Sequence, residues 1–312
     1  MNTPPAIELR GLTKRFGDTL ALDHVDLVVR PGVVFGFLGR NGAGKTTALR
    51  ILSGLARPTE GTAHVLGHDV AGANDAVRAR IGFLPDVPGF YPWMTAREYL
   101  DFAGRLFAID RATLDGRADA LLEMAGLASV TTRVGGFSRG MKQRLGIAQA
   151  LINAPSLLML DEPTSALDPI GRREVLEMVA SLRGRTTVFF STHILADVER
   201  VCDAVAILER GRIVESADIA ELTARAAANV LVVELEGDGA AASVARELAG
   251  RAWLKSVETT EGTLRVTVTD LAAAQREIPA AITAAGVGLR RFEIEEASLE
   301  DVFVELVGGP AR

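Results

Sequence analysis

The sequence predicts an α/β protein with a parallel-sheet core, followed by a small α+β domain. Three observations carry that expectation. Short apolar runs rich in Val, Phe and Leu (33–39, 157–160 and 187–190) alternate with amphipathic helix-period segments. That order builds a parallel sheet with helices on both faces. A glycine-rich turn joins the first run to a helical stretch, and past the Ala-rich segment 223–229 the pattern changes to closely spaced strands and helices. A chain of 312 residues, 48% hydrophobic and 24% charged, has the composition of a folded globular protein. Its length suggests about two domains.

Residues 6–30 read as two short strands around a turn. VVFGFLG (33–39) suits a buried strand, with a helix beginning near Lys45. IGFLP (81–85) is a strand. Residues 96–127 are mostly helical, with Leu100, Leu106 and Phe107 at helical spacing. SLLMLDEP (156–163) is a buried strand ending in two carboxylates. An amphipathic helix (173–183), a strand (186–193), a helix (194–203) and a hairpin about Arg210-Gly211 follow. The second part reads as strand, helix, strand, strand, helix, strand and a closing helix, with a kink expected at Pro279. The order βαββαβ fits a ferredoxin-like module. The expected domains are 1–225 and 226–312.

The net charge of −6 is localised. Residues 229–312 hold 14 acids and 8 bases, and the remainder holds 26 of each. A phosphate-neutralising surface needs the opposite sign, so no nucleic-acid partner is expected of the tail. The single cysteine, Cys202, excludes a disulfide framework and reads as a small buried hydrophobe. No apolar run approaches the ~18–20 residues of a membrane helix, and the N-terminus lacks a basic and apolar leader, so a cytoplasmic location is expected. Only four residues are lysine, which draws attention to Lys45.

Gly39, Arg40, Asn41, Gly42, Ala43, Gly44, Lys45, Thr46 and Thr47 match the P-loop pattern between a strand and a helix. Gly42 and Gly44 let backbone N–H groups turn inward around a β-phosphate. Lys45 reaches the β- and γ-phosphates, Thr46 offers a hydroxyl to Mg²⁺, and the helix directs its positive end at the same point. This much leaves kinases, GTPases, helicases and motors open. SLLMLDEP narrows the choice, because it places Asp161 at the carboxyl end of a buried strand, where open α/β sheets bind ligands. Asp161 is expected to hold Mg²⁺ through its water shell. Glu162, one residue on, is expected to accept a proton from an attacking water.

With these residues in place, the segment from Ile7 to Leu222 resembles the ATP-binding cassette (ABC) ATPases, with the motifs in the family's order. Phe137-Ser-Arg-Gly-Met looks like the family's LSGGQ signature. The resemblance implies that Ser138 and Gly140 contact the γ-phosphate of an ATP held by the opposite subunit of a head-to-tail homodimer. Ser165 to Asp168 resembles the D-loop, His193 the switch histidine on the γ-phosphate, and Phe16 the aromatic ring against adenine. A core phenylalanine remains the alternative for Phe16. The histidine pair His64 and His68 matches nothing in the family and lacks the carboxylate or cysteine set of a metal site.

The sequence departs from the family at the Q-loop, where Asp86 stands for glutamine. Asp86 still supplies an oxygen near Mg²⁺, one methylene shorter, charged and without the amide donor. The aromatic stretch after it (Phe90, Tyr91, Trp93) reads equally as a permease-facing surface and as core packing. EASLEDVFVELV (296–307) resembles the ending of ATPases that serve ABC-2-type permeases, including drug and antibiotic exporters. The resemblance therefore implies an ATP-hydrolysing exporter subunit that uses ATP and Mg²⁺. It would lie on the inner face of the cell membrane against a permease on a separate chain. A soluble or regulatory ABC ATPase acting on ribosomes or DNA is the alternative.

Overall fold

The computed structural model describes residues 4–72, 75–227, 230–237 and 239–295. Contacts divide the chain into two compact units, Met1–Ile219 and Ala220–Arg312.

In the first unit, β1 (Ile7–Phe16) and β2 (Thr19–Val29) form an antiparallel hairpin. Gly17, at φ 55°, turns the chain between the paired Phe16 and Thr19. Then come β3 (Val34–Gly39), α1 (Lys45–Leu52), β4 (Glu60–Val65), β5 (His68–Asp69), α2 (Asp75–Arg78) and β6 (Ile81–Leu84). The strand β4 is an element that sequence pattern missed. Its residues, EGTAHV, carry no sustained apolar alternation, and pairing with β1 and β5 makes them a strand. The result is an antiparallel sheet of order β2-β1-β4-β5.

The stretch expected to be mostly helical from 96 to 127 is two helices, α3 (Ala96–Leu106) and α4 (Arg111–Met124). Thr95 and Glu98 form a reciprocal capping box that starts α3, and Asp110 caps α4. The break falls at Phe107–Asp110, where Ala108 takes φ 54°. Leu106 and Phe107 therefore sit at a corner and are exposed, whereas Leu100 is buried. Next are α5 (Arg139–Ala150), β7 (Leu157–Asp161), α6 (Pro169–Ala180), β8 (Thr187–Thr192), α7 (Leu195–Val201), β9 (Ala204–Glu209) and β10 (Arg212–Asp218).

The central sheet has the order β10-β9-β3-β8-β7-β6. It is parallel from β9 to β6, with β10 antiparallel at the edge. Every residue of β3, β7 and β8 is buried, as strands covered on both faces must be. Phe35 and Phe189 stack at 5.8 Å, and Phe37 lies 5.1 Å from Phe189. One apolar core joins the antiparallel sheet, α1 and one face of the central sheet. Cys202 is buried, and burial pushes its thiol pKa up, so it behaves as the small hydrophobe the sequence suggested.

The helix α8 (Ile219–Ala227) runs into the Ala-rich stretch. The second unit then runs β11 (Val230–Glu236), α9 (Ala240–Leu248), β12 (Leu254–Thr260), β13 (Thr263–Val268), α10 (Leu271–Ala284) and β14 (Gly288–Ile294). All neighbouring strands are antiparallel in the order β12-β13-β11-β14. That is the ferredoxin-like arrangement the βαββαβ order predicts. Alternate residues Leu231, Val233 and Leu235 of β11 and Leu264, Val266 and Val268 of β13 pack under α9 and α10. The helix α10 continues through Pro279. The expected closing helix and the segment 296–307 lie outside the described residues. Among the described residues, no helix is long and apolar enough to cross a membrane.

Candidate active site

Three parallel strands end together and place the polar groups of the site. Register sets Asp161 of β7 beside Ser191 of β8, and Thr192 of β8 beside Leu38 of β3. The chain leaving β3 turns through Gly42 (φ 82°) and Gly44 (φ 113°) into α1. A Cβ on Gly44 would stand 2.4 Å from the Ala21 carbonyl oxygen, so the close approach of this loop to β2 requires glycine.

Lys45 opens α1 and is buried, with 5% exposure. Its Nζ donates to the Gly39 carbonyl at 2.6 Å and the Arg40 carbonyl at 3.2 Å, and it pairs with Glu162 Oε1 at 3.0 Å. The other carboxylate oxygen of Glu162 lies 2.8 Å from His193 Nδ1. Glu162 itself takes φ 49°, an unfavourable conformation for a side-chain-bearing residue. Its backbone N–H holds that turn by donating to the carbonyl and hydroxyl oxygens of Ser191, both at 3.1 Å.

Asp161, one residue earlier, is the last residue of β7 and is 2% exposed. It accepts from Ser191 Oγ at 2.7 Å and from Thr46 Oγ1 at 3.3 Å. Burial holds its carboxyl above the usual carboxylate range, against the lowering pull of these two hydrogen bonds, and the charges of Glu162 and Asp86 push the same way as burial. A buried carboxylate beside a threonine hydroxyl is a hard-oxygen pair of the kind that suits Mg²⁺ shared with substrate phosphates.

These groups face a cleft of about 410 Å³ lined by Asn41, Gly42, Gly44, Lys45, Thr46, Thr47, Asp86, Glu162 and His193, together with Ala21 and Ser165. Of the remaining residues singled out in the sequence, Gly39 and Arg40 supply the carbonyls that hold Lys45, and Ala43 is buried behind the loop. Phe16 is 54% exposed with Lys14 Nζ 4.9 Å from its ring centroid, so it is not a core residue. Ser138 and Gly140 are not part of this cleft. Ser138 caps α5 by accepting from Met141 N at 3.2 Å, and it stays exposed at the helix start. Asp86 also lines a second cleft, with Val87, Pro88, Arg139, Lys142 and Gln143.

The aromatic stretch divides. Phe90 is half-buried and packs edge-on against Tyr99, whereas Tyr91 and Trp93 are exposed at 41% and 58% and lie 5.2 Å apart. Sequence reasoning missed Ser191, which joins Asp161 and Glu162. Its one signal was a small polar residue directly after the apolar run of a buried strand.

The chain is similar to known proteins over nearly its whole length. The ABC transporter family matches residues 22–165, and the C-terminal domain of DrrA1-3-like ATP-binding proteins matches residues 218–307. The bacitracin transport ATP-binding protein BcrA of Bacillus licheniformis is 38% identical over 97% of both chains. The daunorubicin resistance ATP-binding protein DrrA3 of Streptomyces coeruleorubidus is 38% identical over 98% of this chain and 97% of its own. Among solved structures, the ATP-binding subunit of an ABC transporter superposes with a TM-score of 0.63 at 29% identity, covering 70% of this chain and 92% of that one. A dimeric ATP-binding cassette in a post-hydrolysis state with ADP and Pi gives 0.61 at 26% identity, covering 68% and 98%.

Proposed function

The chain belongs to the ABC transporter ATP-binding family, with a DrrA-like C-terminal domain, and from that premise we propose how its residues serve an exporter. It is an ATP-binding and ATP-hydrolysing subunit of a membrane exporter, of the kind named for bacitracin and daunorubicin in its relatives. The observation that carries the mechanism is the convergence of Lys45, Glu162 and His193 on one cleft.

The P-loop N–H groups and the α1 N-terminus receive the phosphates. Lys45 is already desolvated and held by two carbonyls, so it can pass its charge from Glu162 to a phosphate oxygen with little reorganisation. Glu162, once released by Lys45, accepts the proton of the attacking water, and His193 orients it from the other carboxylate oxygen. Thr46 and Asp161, with Asp86 alongside, would hold Mg²⁺, which would supply positive charge against the charge that develops on the phosphates. Phe16, exposed on β1, offers an aromatic face to the adenine ring.

The exposed N-terminus of α5, with Ser138 and Gly140, is an anion site suited to the γ-phosphate of an ATP held by a second copy. We therefore read the working unit as a head-to-tail homodimer. The membrane partner is a permease of the ABC-2 type on a separate chain, and this subunit lies against it on the inner face of the membrane. Exposed Tyr91 and Trp93 supply an apolar surface for that contact. Residues 1–225 form the ATP-binding domain and 226–312 an accessory domain.

The test is Glu162→Gln in the purified full chain and with its membrane partner. ATP binding should persist while turnover falls at least ~10²-fold, the range expected on losing a general base. Turnover near the wild-type rate would remove Glu162 from that role.

A further inference from the structure

Asp197 is a carboxylate that takes no part in the mechanism above, yet it is fully buried, with 0% exposure. Burying a charge is unfavourable unless it is paired and hydrogen-bonded. Both of its oxygens are paired, and both partners come from the segment that follows Glu162. The hydroxyl of Thr164, itself 1% exposed, donates to Asp197 Oδ2 at 2.6 Å. Arg172 Nε, on α6, donates to Oδ1 at 2.5 Å.

The positions of these residues form a closed ring. Thr164 stands two residues after Glu162, and Asp197 stands four residues after His193. One end of the ring is the 2.8 Å contact between Glu162 and His193, and the other is the 2.6 Å contact between Thr164 and Asp197. Local hydrogen bonds stiffen both arms. Ser165 N donates to the Glu162 carbonyl at 3.0 Å, Asp197 N donates to the Ile194 carbonyl at 3.2 Å, and Ile194 N donates to Thr192 Oγ1 at 3.0 Å. The loop that is held in this way is strained, with Glu162 at φ 49° and Ala166 at φ 52°. Such conformations persist only where surrounding contacts over-determine them.

We propose that Asp197 is a positioning residue for ATP hydrolysis: through Thr164 and Arg172 it clamps the loop after β7 to α7, which fixes the carboxylate of Glu162 against His193. The proposal rests on the reading of Glu162 as the base. The clamp touches neither P-loop nor cleft, so it acts on turnover and leaves nucleotide affinity alone.

The experiment uses the full chain with Thr164→Val, Thr164→Ser, Asp197→Asn and Glu162→Gln, together with the Thr164→Val/Glu162→Gln and Asp197→Asn/Glu162→Gln double variants. ATP affinity, single-turnover hydrolysis and Tm are measured for each. Thr164→Val and Asp197→Asn should slow hydrolysis roughly 10- to 100-fold at unchanged ATP affinity, as for a small misplacement of a reacting group. Thr164→Ser, which keeps the hydroxyl, should restore the rate. Neither change should slow the Glu162→Gln chain further, because a residue acting through Glu162 has nothing left to position. If Asp197→Asn fails to fold, the Thr164 pair decides.

Wild-type hydrolysis in the Thr164→Val chain would overturn the clamp, as would a matching loss of ATP affinity or an undiminished further loss in the Glu162→Gln background. A slow Glu162→Gln chain beside fast Thr164 and Asp197 variants would overturn the clamp alone. A fast Glu162→Gln chain would overturn the base reading and the clamp with it.

Discussion

Among the described residues, the two units differ in what they bury and in how they bend. All ten buried polar or charged residues, Lys45, Asp161, Ser191 and Asp197 among them, belong to the first unit. So do all seven non-glycine residues at positive φ, including Glu162 and Ala166. The second unit reaches positive φ only at glycines and packs an apolar core of Leu, Val, Ile, Ala and one Trp under two helices. One unit holds strain and buried charge in place with long-range hydrogen bonds, which is where catalytic groups collect. The other is an ordinary sheet-and-helix sandwich whose stability comes from area burial. Changes of the same size should therefore act differently in the two units, on chemistry in the first and on folding in the second.

The sharpest way to break that contrast is Lys45→Ala. It deletes a buried charge that holds Glu162 at 3.0 Å, and ATP affinity should drop by about 2–5 kcal/mol, the usual penalty for truncating one member of a buried charge pair. Isothermal titration with ATP checks it, and unchanged affinity would move the phosphate site elsewhere.

A mid-sized effect belongs to the second unit. Leu264 is fully buried in its core, and Leu264→Ala should destabilise that unit by about 2–5 kcal/mol. ATP affinity and hydrolysis should stay at wild-type values, as they should in a chain ended after Ala227. If either change abolished ATP binding in soluble protein, the two units would not be functionally separable.

The smallest effect is on stability. Burial raises the Asp161 pKa, so the folded chain keeps that proton to a higher pH than the unfolded chain does. Stability therefore falls as pH climbs from the ordinary carboxylate value through the raised one, and the whole penalty is present above the raised value. Asp161→Asn should raise Tm at neutral pH, by roughly 2–4 °C for each kcal/mol relieved in domains of this order. The gain should vanish in acid below the ordinary carboxylate range, and hydrolysis should be lost. A Tm unchanged at neutral pH would mean that the hydrogen bonds from Ser191 and Thr46 already offset the burial.

Much of this was legible in the residues taken alone. The loop from Gly39 to Thr47 could be read because its geometry is local: nine consecutive residues make the turn and the helix start. Asp161 and Glu162 were legible because an apolar run that stops at two adjacent carboxylates marks the end of a buried strand. The βαββαβ order of the second unit was legible because each element carries its own period. The strand Glu60–Val65 was not, because EGTAHV has no period and exists through its register with Ile7 to Arg10. Leu106 and Phe107 misled for the converse reason, since their helical spacing is interrupted by a turn at Ala108 that spacing does not reveal.

The sequence by itself determined which kinds of group stand where strands end, in the P-loop lysine and threonine, the paired carboxylates and the histidine after a buried strand, and it determined the order of the elements that carry them. Tertiary structure alone decided which groups meet. Lys45 rests on Glu162, Ser191 joins Asp161 to the turn of Glu162, and Thr164 and Arg172 close on Asp197. The reason is physical: each contact joins residues far apart in the chain, brought within hydrogen-bond reach by the parallel registers of β3, β8 and β7 and by the helices packed beside them, and no local period encodes a distance across a sheet.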